Sequence, residues 1–149
     1  MEKEASMART TCKVLGLAFL VAGLVGFVQP HFLGFHLTTI HNVIHLATAA
    51  VALYLGFAGT LTAARTFCLT FGAVYALLGV LGFLAPGLVA TVLGHPGPVS
   101  GGDLTPDNLF HIVAGGAFVL AGMKGSPAAV RASSGDIPRA RLSSVSRSM

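Results

Sequence analysis

Four apolar blocks, near 12–28, 40–57, 67–85 and 106–123, constrain this chain more than any other feature. Each holds 17 to 19 residues, roughly 26–29 Å of helix at about 1.5 Å per residue. A hydrocarbon core is about 30 Å thick, so each block is just long enough to span it with little tilt. Lys13 and Asp107 are the only charged residues inside the blocks, and both sit near an end. Lipid leaves no partner for an unpaired backbone group, so the blocks are predicted to be helices. The expected fold is therefore all-α: a polytopic membrane protein with four transmembrane helices. Composition agrees, since 9% charged residues is far below the roughly 25% that a soluble domain uses to solvate its surface.

The basic residues predict an orientation. Lys3, Arg9 and Lys13 lie at the start of the first block, and Arg65 lies between the second and third. Lys124, Arg131, Arg139, Arg141 and Arg147 follow the fourth. All fall on one side of the expected membrane, which the positive-inside rule makes cytoplasmic. The expected location is a bacterial cytoplasmic (inner) membrane, multi-pass, with both termini in the cytoplasm. Residues 1–11 are then a cytoplasmic N-terminal segment, 12–123 the transmembrane domain, and 124–149 a Ser-rich basic tail expected to be disordered. The net charge of +4 is an orientation signal, and the expected partner is the lipid bilayer rather than nucleic acid.

The chain also repeats itself. A shift of 56 lays "ARTTCKVLGLAFLVAGLVGFVQP" (8–30) on "ARTFCLTFGAVYALLGVLGFLAP" (64–86). Arg9, Cys12, Gly16, Gly23, Gly26 and Pro30 all find their equals, and Phe19 meets Tyr75. A shift of 66 lays Thr39, Asn42, His45 and Gly56 on Thr105, Asn108, His111 and Gly122. The ten-residue difference is extra loop around "GHPGPVSGG". This pattern predicts a tandemly repeated two-helix hairpin with a pseudo-twofold along the membrane normal. The matches advance in steps of three and four, as one helix face does. Gly16, Gly23, Gly26, Gly72, Gly79 and Gly82 are thus expected to turn inward, where small residues let helices approach in lipid. A compact, left-handed four-helix bundle follows.

The polar residues of the repeat are the candidate site. Thr39 and Thr105 are placed to cap the second and fourth helices, with Asp107 in a first turn that favours negative charge. Asn42 and His45 share a face, as do Asn108 and His111, so the two pairs are expected to hydrogen-bond across the bundle as a register lock. A sharper reading is a metal site. His41 and His45 are four residues apart, as are Asp107 and His111, and three imidazoles with one carboxylate make a zinc-like set for a divalent ion. Haem held by His45 and His111 is narrower still, and proton-coupled transport through the same two residues is weaker for want of a buried carboxylate partner. Cys12 and Cys68 are repeat mates expected to pack as small residues, and His31, His36 and His95 are expected to be solvated in outer loops. No Ser/His/Asp constellation has a visible seat, so an enzyme is disfavoured.

Four helices with an Asn-x-x-His at the start of the second and fourth ("HNVIHL" and "DNLFHI"), followed by Gly-rich turns, resemble an uncharacterised bacterial membrane family, domain of unknown function family 4383. The resemblance covers about 12–123 and implies an inner-membrane four-helix protein with Asn42, His45, Asn108 and His111 at the motif positions. The first outer loop is shorter than the resemblance implies. The family carries no activity. The leading expectation is a structural or interaction module, an accessory subunit or homo-oligomer; the alternative is a membrane protein that binds a metal or cofactor through paired histidines.

Overall fold

Large apolar side chains lie on the outside of this molecule and small ones within. In the computed structural model, which describes residues 2–124, the buried core is built from Ala8, Cys12, Ala49, Ala52, Ala64, Cys68 and a few aromatic rings. Phe57 and Val113 are each 70% exposed, and Val14, Leu17, Tyr54 and Leu120 are exposed too. Contiguous apolar surface on this scale is foreign to a soluble monomer. Small residues inside and branched ones outside are what helix packing in lipid favours. This is a membrane protein, all-helical over the described residues.

Among the described residues five helices follow in order: α1 (Glu2–Val28), α2 (Thr39–Phe57), α3 (Leu61–Leu84), α4 (Pro86–Val92) and α5 (Thr105–Met123), with one 3-10 turn at Phe32–Gly34. Within them Met7–Val28, Thr39–Phe57 and Leu61–Leu84 are long and apolar enough to cross a membrane. α5 has the length but opens on Pro106, Asp107, Asn108 and His111, which dilute its hydropathy. Its outer face is still apolar, with Leu109, Val113 and Leu120 exposed.

Several boundaries differ from expectation for physical reasons. α1 begins ten residues early and α3 six residues early, because the packing seam runs on past the apolar blocks to Ala8 and Ala64, both fully buried. Thr60 caps α3 by accepting from the Ala63 amide at 3.1 Å. α2 is capped by Thr38, which accepts from the His41 amide at 3.2 Å, rather than by Thr39. Thr105 is not a cap; its hydroxyl donates to the Gly101 carbonyl at 3.2 Å. The fifth helix, α4, was not expected. Pro86 stands at its first position, where a missing N–H is harmless. The basic tail placed at 124–149 lies, from residue 125, outside the described residues.

α1 lies along α2, and α3 along α5; the two pairs meet chiefly where α1 touches α3 and α5. All six expected seam glycines are buried. A Cβ on Gly26 would overlap the side-chain amide of Asn42, and one on Gly82 that of Asn108. The α3–α5 approach is the closer. A Cβ on Gly79 would stand 2.6 Å from the Asn108 carbonyl oxygen, and one on Gly115 2.5 Å from the Ala76 nitrogen. By contrast, Gly16 faces the movable side chain of Leu53, at 3.0 Å.

Arginines close the other end. Arg9 donates to the Gly59 carbonyl at 2.5 Å, just past the end of α2, and Arg65 to the Gly122 carbonyl at 3.3 Å, near the end of α5. Arg65 thus meets an unpaired carbonyl of the last turn of α5 and Arg9 a carbonyl just beyond α2, both at helix C-terminal ends where positive charge is favoured. Lys13 adds a cation–π contact, its Nζ 4.7 Å from the Phe57 ring centroid.

The glycine contacts yield a graded prediction. Gly79→Ala and Gly115→Ala force backbones apart and should each destabilise by about 1–3 kcal/mol. Gly116→Ala, with open space beside it, should be neutral or stabilising by up to about 1 kcal/mol. Thermal unfolding in detergent reads the difference; equal effects at the three positions would contradict the packing described.

Candidate metal centre

The Thr38 cap sets the first turn of α2, so His41 and Asn42 enter the helix fully buried and His45 follows one turn later on the same face as His41. α5 brings Asn108 and His111 in from the opposite pair. Each asparagine fills the notch of its own partner glycine, Asn42 over Gly26 and Asn108 over Gly82. Asn42 Nδ2 donates to the Leu37 carbonyl at 3.3 Å.

The expected cross-bundle network of Asn–His hydrogen bonds is not formed. Asn42 Oδ1, Asn108 Nδ2 and both ring nitrogens of His45 have no protein hydrogen-bond partner. Each asparagine side chain instead packs on a glycine of its own helix pair.

With the asparagines spoken for, three imidazoles converge. His41, His45 and His111 each offer a ring nitrogen, and these atoms all lie within 4.8 Å of one another. Ring centroids are 4.2 Å apart for His41 and His45, 5.5 Å for His41 and His111, and 6.5 Å for His45 and His111. None is more than 4% exposed. Aromatic rings floor the site: Phe19 lies 5.2 Å from His45, Tyr75 5.3 Å from His111, and the two rings 5.0 Å from each other. The Tyr75 hydroxyl is itself satisfied by Thr48 Oγ1 at 3.0 Å.

Hydrogen bonding assigns one tautomer. His41 Nδ1 lies 3.1 Å from the His36 carbonyl oxygen. A carbonyl only accepts, so Nδ1 carries the proton and Nε2 keeps its lone pair. That Nε2 is buried without a protein partner. An imidazole anchored by one nitrogen and free at the other is the arrangement typical of metal-ligating histidine.

Asp107 itself is not part of the converging group. Both carboxylate oxygens accept from the His36 amide, at 3.2 and 3.1 Å, and one lies 3.5 Å from His36 Nδ1. The four-residue spacing from His111 is real, but the returning loop supplies donors that claim the carboxylate first. Asp107 instead holds the loop whose carbonyl orients His41. The four-ligand set is thereby corrected to three histidines. Haem fits less well, because His41 packs against both His45 and His111 where a porphyrin would need a slot.

The outer histidines are closer to the site than expected. His36 stacks edge-on to His31 at 5.3 Å and lies 5.8 Å from His95. Together they line a cavity of about 600 Å³ that also reaches Asn42. Burial pushes the His95 imidazole below its ordinary value, and neighbouring His36 adds to this while Asp107 opposes it. All six histidines of the chain thus form one array, running from the outer loops to the buried three. Sequence reasoning left His31, His36 and His95 out because nothing local says that residues 31–36 and 95 return to the same place.

At the far end, Cys12 and Cys68 place their sulfurs 3.6 Å apart, and each thiol donates to an alanine carbonyl of the other helix. Both are free and fully buried. They mark the point where α1 crosses α3.

Removing the Asp107 carboxylate should loosen the loop while leaving the three imidazoles present. Asp107→Ala is expected to destabilise by about 1–3 kcal/mol, the range for orphaning a buried donor. Hydrogen exchange should accelerate over 31–37. Unchanged protection there would show that Asp107 does not hold the loop.

Comparison with protein-family models, with curated proteins and with solved structures finds no match, so what this arrangement does is argued from its own chemistry.

Proposed function

We propose that this chain is a four-span protein of the bacterial cytoplasmic membrane that holds a divalent transition-metal ion on His41, His45 and His111. One observation carries the reading: three buried imidazoles from two helices converge, and His41 Nε2 and both nitrogens of His45 have no protein partner. A buried polar group without a partner costs about 1–3 kcal/mol, and native interiors rarely leave several together. A metal ion satisfies His41 Nε2 and one nitrogen of His45 at once. Tetrahedral zinc at about 2.0–2.1 Å holds its nitrogens about 3.3–3.4 Å apart, so side-chain rotation over at most about 1.5 Å gathers the set. Imidazole suits zinc, copper and nickel. Three protein ligands leave one position for water or another donor.

Contacts of several kinds support the repeated hairpin with its pseudo-twofold. Cys12 faces Cys68 and Phe19 faces Tyr75, as residues on an axis must. Asn42 on Gly26 has its equivalent in Asn108 on Gly82, and Gly56 against the Arg9 carbonyl in Gly122 against the Arg65 carbonyl, a Cβ on either glycine standing 3.1 Å from that oxygen. The apolar outer face of α5 supports a fourth span. With the basic residues inside, both termini are cytoplasmic and the three histidines stand near the outer face. The His31, His36 and His95 cavity then lies on the ion's way in. The likeness to domain of unknown function family 4383 is part of the same proposal and rests on Asn42, His45, Asn108 and His111. The asparagines serve as packing wedges and the histidines as ligands.

Elemental analysis of the gently purified protein, after growth with zinc, copper, nickel and cobalt, tests the reading. About one equivalent of one metal is expected. His45→Ala and His111→Ala should each weaken binding by at least about tenfold, since even outer-shell changes reach that size. Asn42→Ala should lower thermal stability and keep the metal. No stoichiometric metal, or metal indifferent to the histidine variants, overturns the assignment.

A further inference from the structure

Three further imidazoles meet in the loops above the buried histidines. His31 and His36 lie between α1 and α2, and His95 follows α4, where Gly94 at a φ of 72° turns the chain back. All three line the cavity of about 600 Å³, and Asn42, next in sequence to His41, forms part of its wall. His36 is central, its ring centroid 5.3 Å from that of His31 and 5.8 Å from that of His95. Two imidazoles on one tetrahedral zinc, with bonds of about 2.0–2.1 Å, hold their centroids about 5.2 Å apart. Both loop pairs stand near that spacing. His31 is exposed and His95 half-buried, so rotation of their side chains can close the set around His36. The nitrogens shut away from water are His36 Nδ1 and His95 Nε2, which leaves His36 Nε2 and His95 Nδ1 for the cavity. Behind His36 stands the buried Asp107 carboxylate, 3.5 Å from Nδ1, the position of the carboxylate that backs a ligating histidine. Among the described residues no Lys or Arg lines the cavity, so its charge favours a cation over an anion.

We propose that His31, His36 and His95 form a second transition-metal site, partly hydrated, which takes the ion from water and passes it to His41, His45 and His111. The passing-on rests on the reading of the buried three as a metal centre; binding at the loop three does not. Burial supplies the reason for two sites. The inner histidines are at most 4% exposed, and an ion that met them first would shed its water among apolar walls, which is costly. The loop three offer the same ligand type with room for water and a carboxylate behind it. Imidazole suits zinc, copper and nickel, so both sites select the same ions. His36 also joins them physically. Its amide donates to Asp107, and its carbonyl oxygen accepts from His41 Nδ1 at 3.1 Å. The residue at the centre of the loop site thereby orients a ligand of the buried one.

The test titrates zinc alone into the full chain, without a histidine tag, stripped of metal by chelator and held in phosphatidylcholine nanodiscs, with empty nanodiscs subtracted. About two equivalents are expected. His36→Ala and His95→Ala should each weaken one of them by at least about tenfold, since even outer-shell changes reach that size, and leave the other unchanged. His36→Ala keeps the backbone amide and carbonyl that hold Asp107 and His41, so its effect is that of the lost imidazole. The His45→Ala, His111→Ala double variant should lose the equivalent that the loop variants retain. With zinc limiting, His36→Ala should also fill the buried site several times more slowly than the parent. Zinc binding indifferent to both loop variants overturns the proposal, as does filling of the buried site at the parent's rate in His36→Ala. A single equivalent lost in the loop variants but kept in the double variant would remove the buried centre and uphold the loop site as the one place of binding.

Discussion

The seating of an asparagine on a glycine, once in each helix pair, is the contact on which the rest of this molecule depends. Where Gly26 and Gly82 lack a side chain, the amides of Asn42 and Asn108 enter. That single fit sets the rotation and height of α2 on α1 and of α5 on α3. In lipid no hydrophobic force presses helices together, so close packing has to provide the attraction, and it does so only where backbones can approach. With the asparagines fixed, His45 and His111, three residues further on, have no choice but to point into the space between the pairs.

That space is polar in a way few membrane interiors are. A chain of contacts, Asp107 to the His36 amide and the His36 carbonyl to His41, runs from the first turn of α5 through the outer loop to the first turn of α2. It ties the two pairs together at one end, as Cys12 and Cys68 do near the other. Thr38 adds a further tie by donating to the Leu93 carbonyl at the end of α4. The proposed metal site sits where these constraints meet, and rigidity of this sort holds ligands close to a productive geometry.

Much of the fold could be read from particular residues. The apolar blocks predicted α1, α2, α3 and α5, and the steps of three and four predicted which glycines are buried. α4 escaped because a seven-residue helix leaves no period to detect, with only Pro86 at its first position as a hint. The caps slipped by one residue or failed because Thr38 and Thr39 are equivalent on paper, and only the path of the loop distinguishes them. For the site, the i,i+4 relation of His41 and His45 was informative because it belongs to one helix. The same relation for Asp107 and His111 misled. A carboxylate takes whichever donor is nearest, and the His36 amide arrives from 71 residues away.

By itself, then, the sequence determined what local chemistry can determine: that the chain must be helical in lipid, because its apolar runs leave the backbone no other partner, and which face of each helix carries small and polar groups. Tertiary structure alone decided which polar groups meet. Whether Asn42 faces a histidine or a glycine, whether Asp107 is a ligand or a loop anchor, and whether His31, His36 and His95 lie apart or in one array all depend on distances between segments remote in the chain. Those distances follow from how tightly two backbones can close on a glycine, a property of the pair and of neither helix alone.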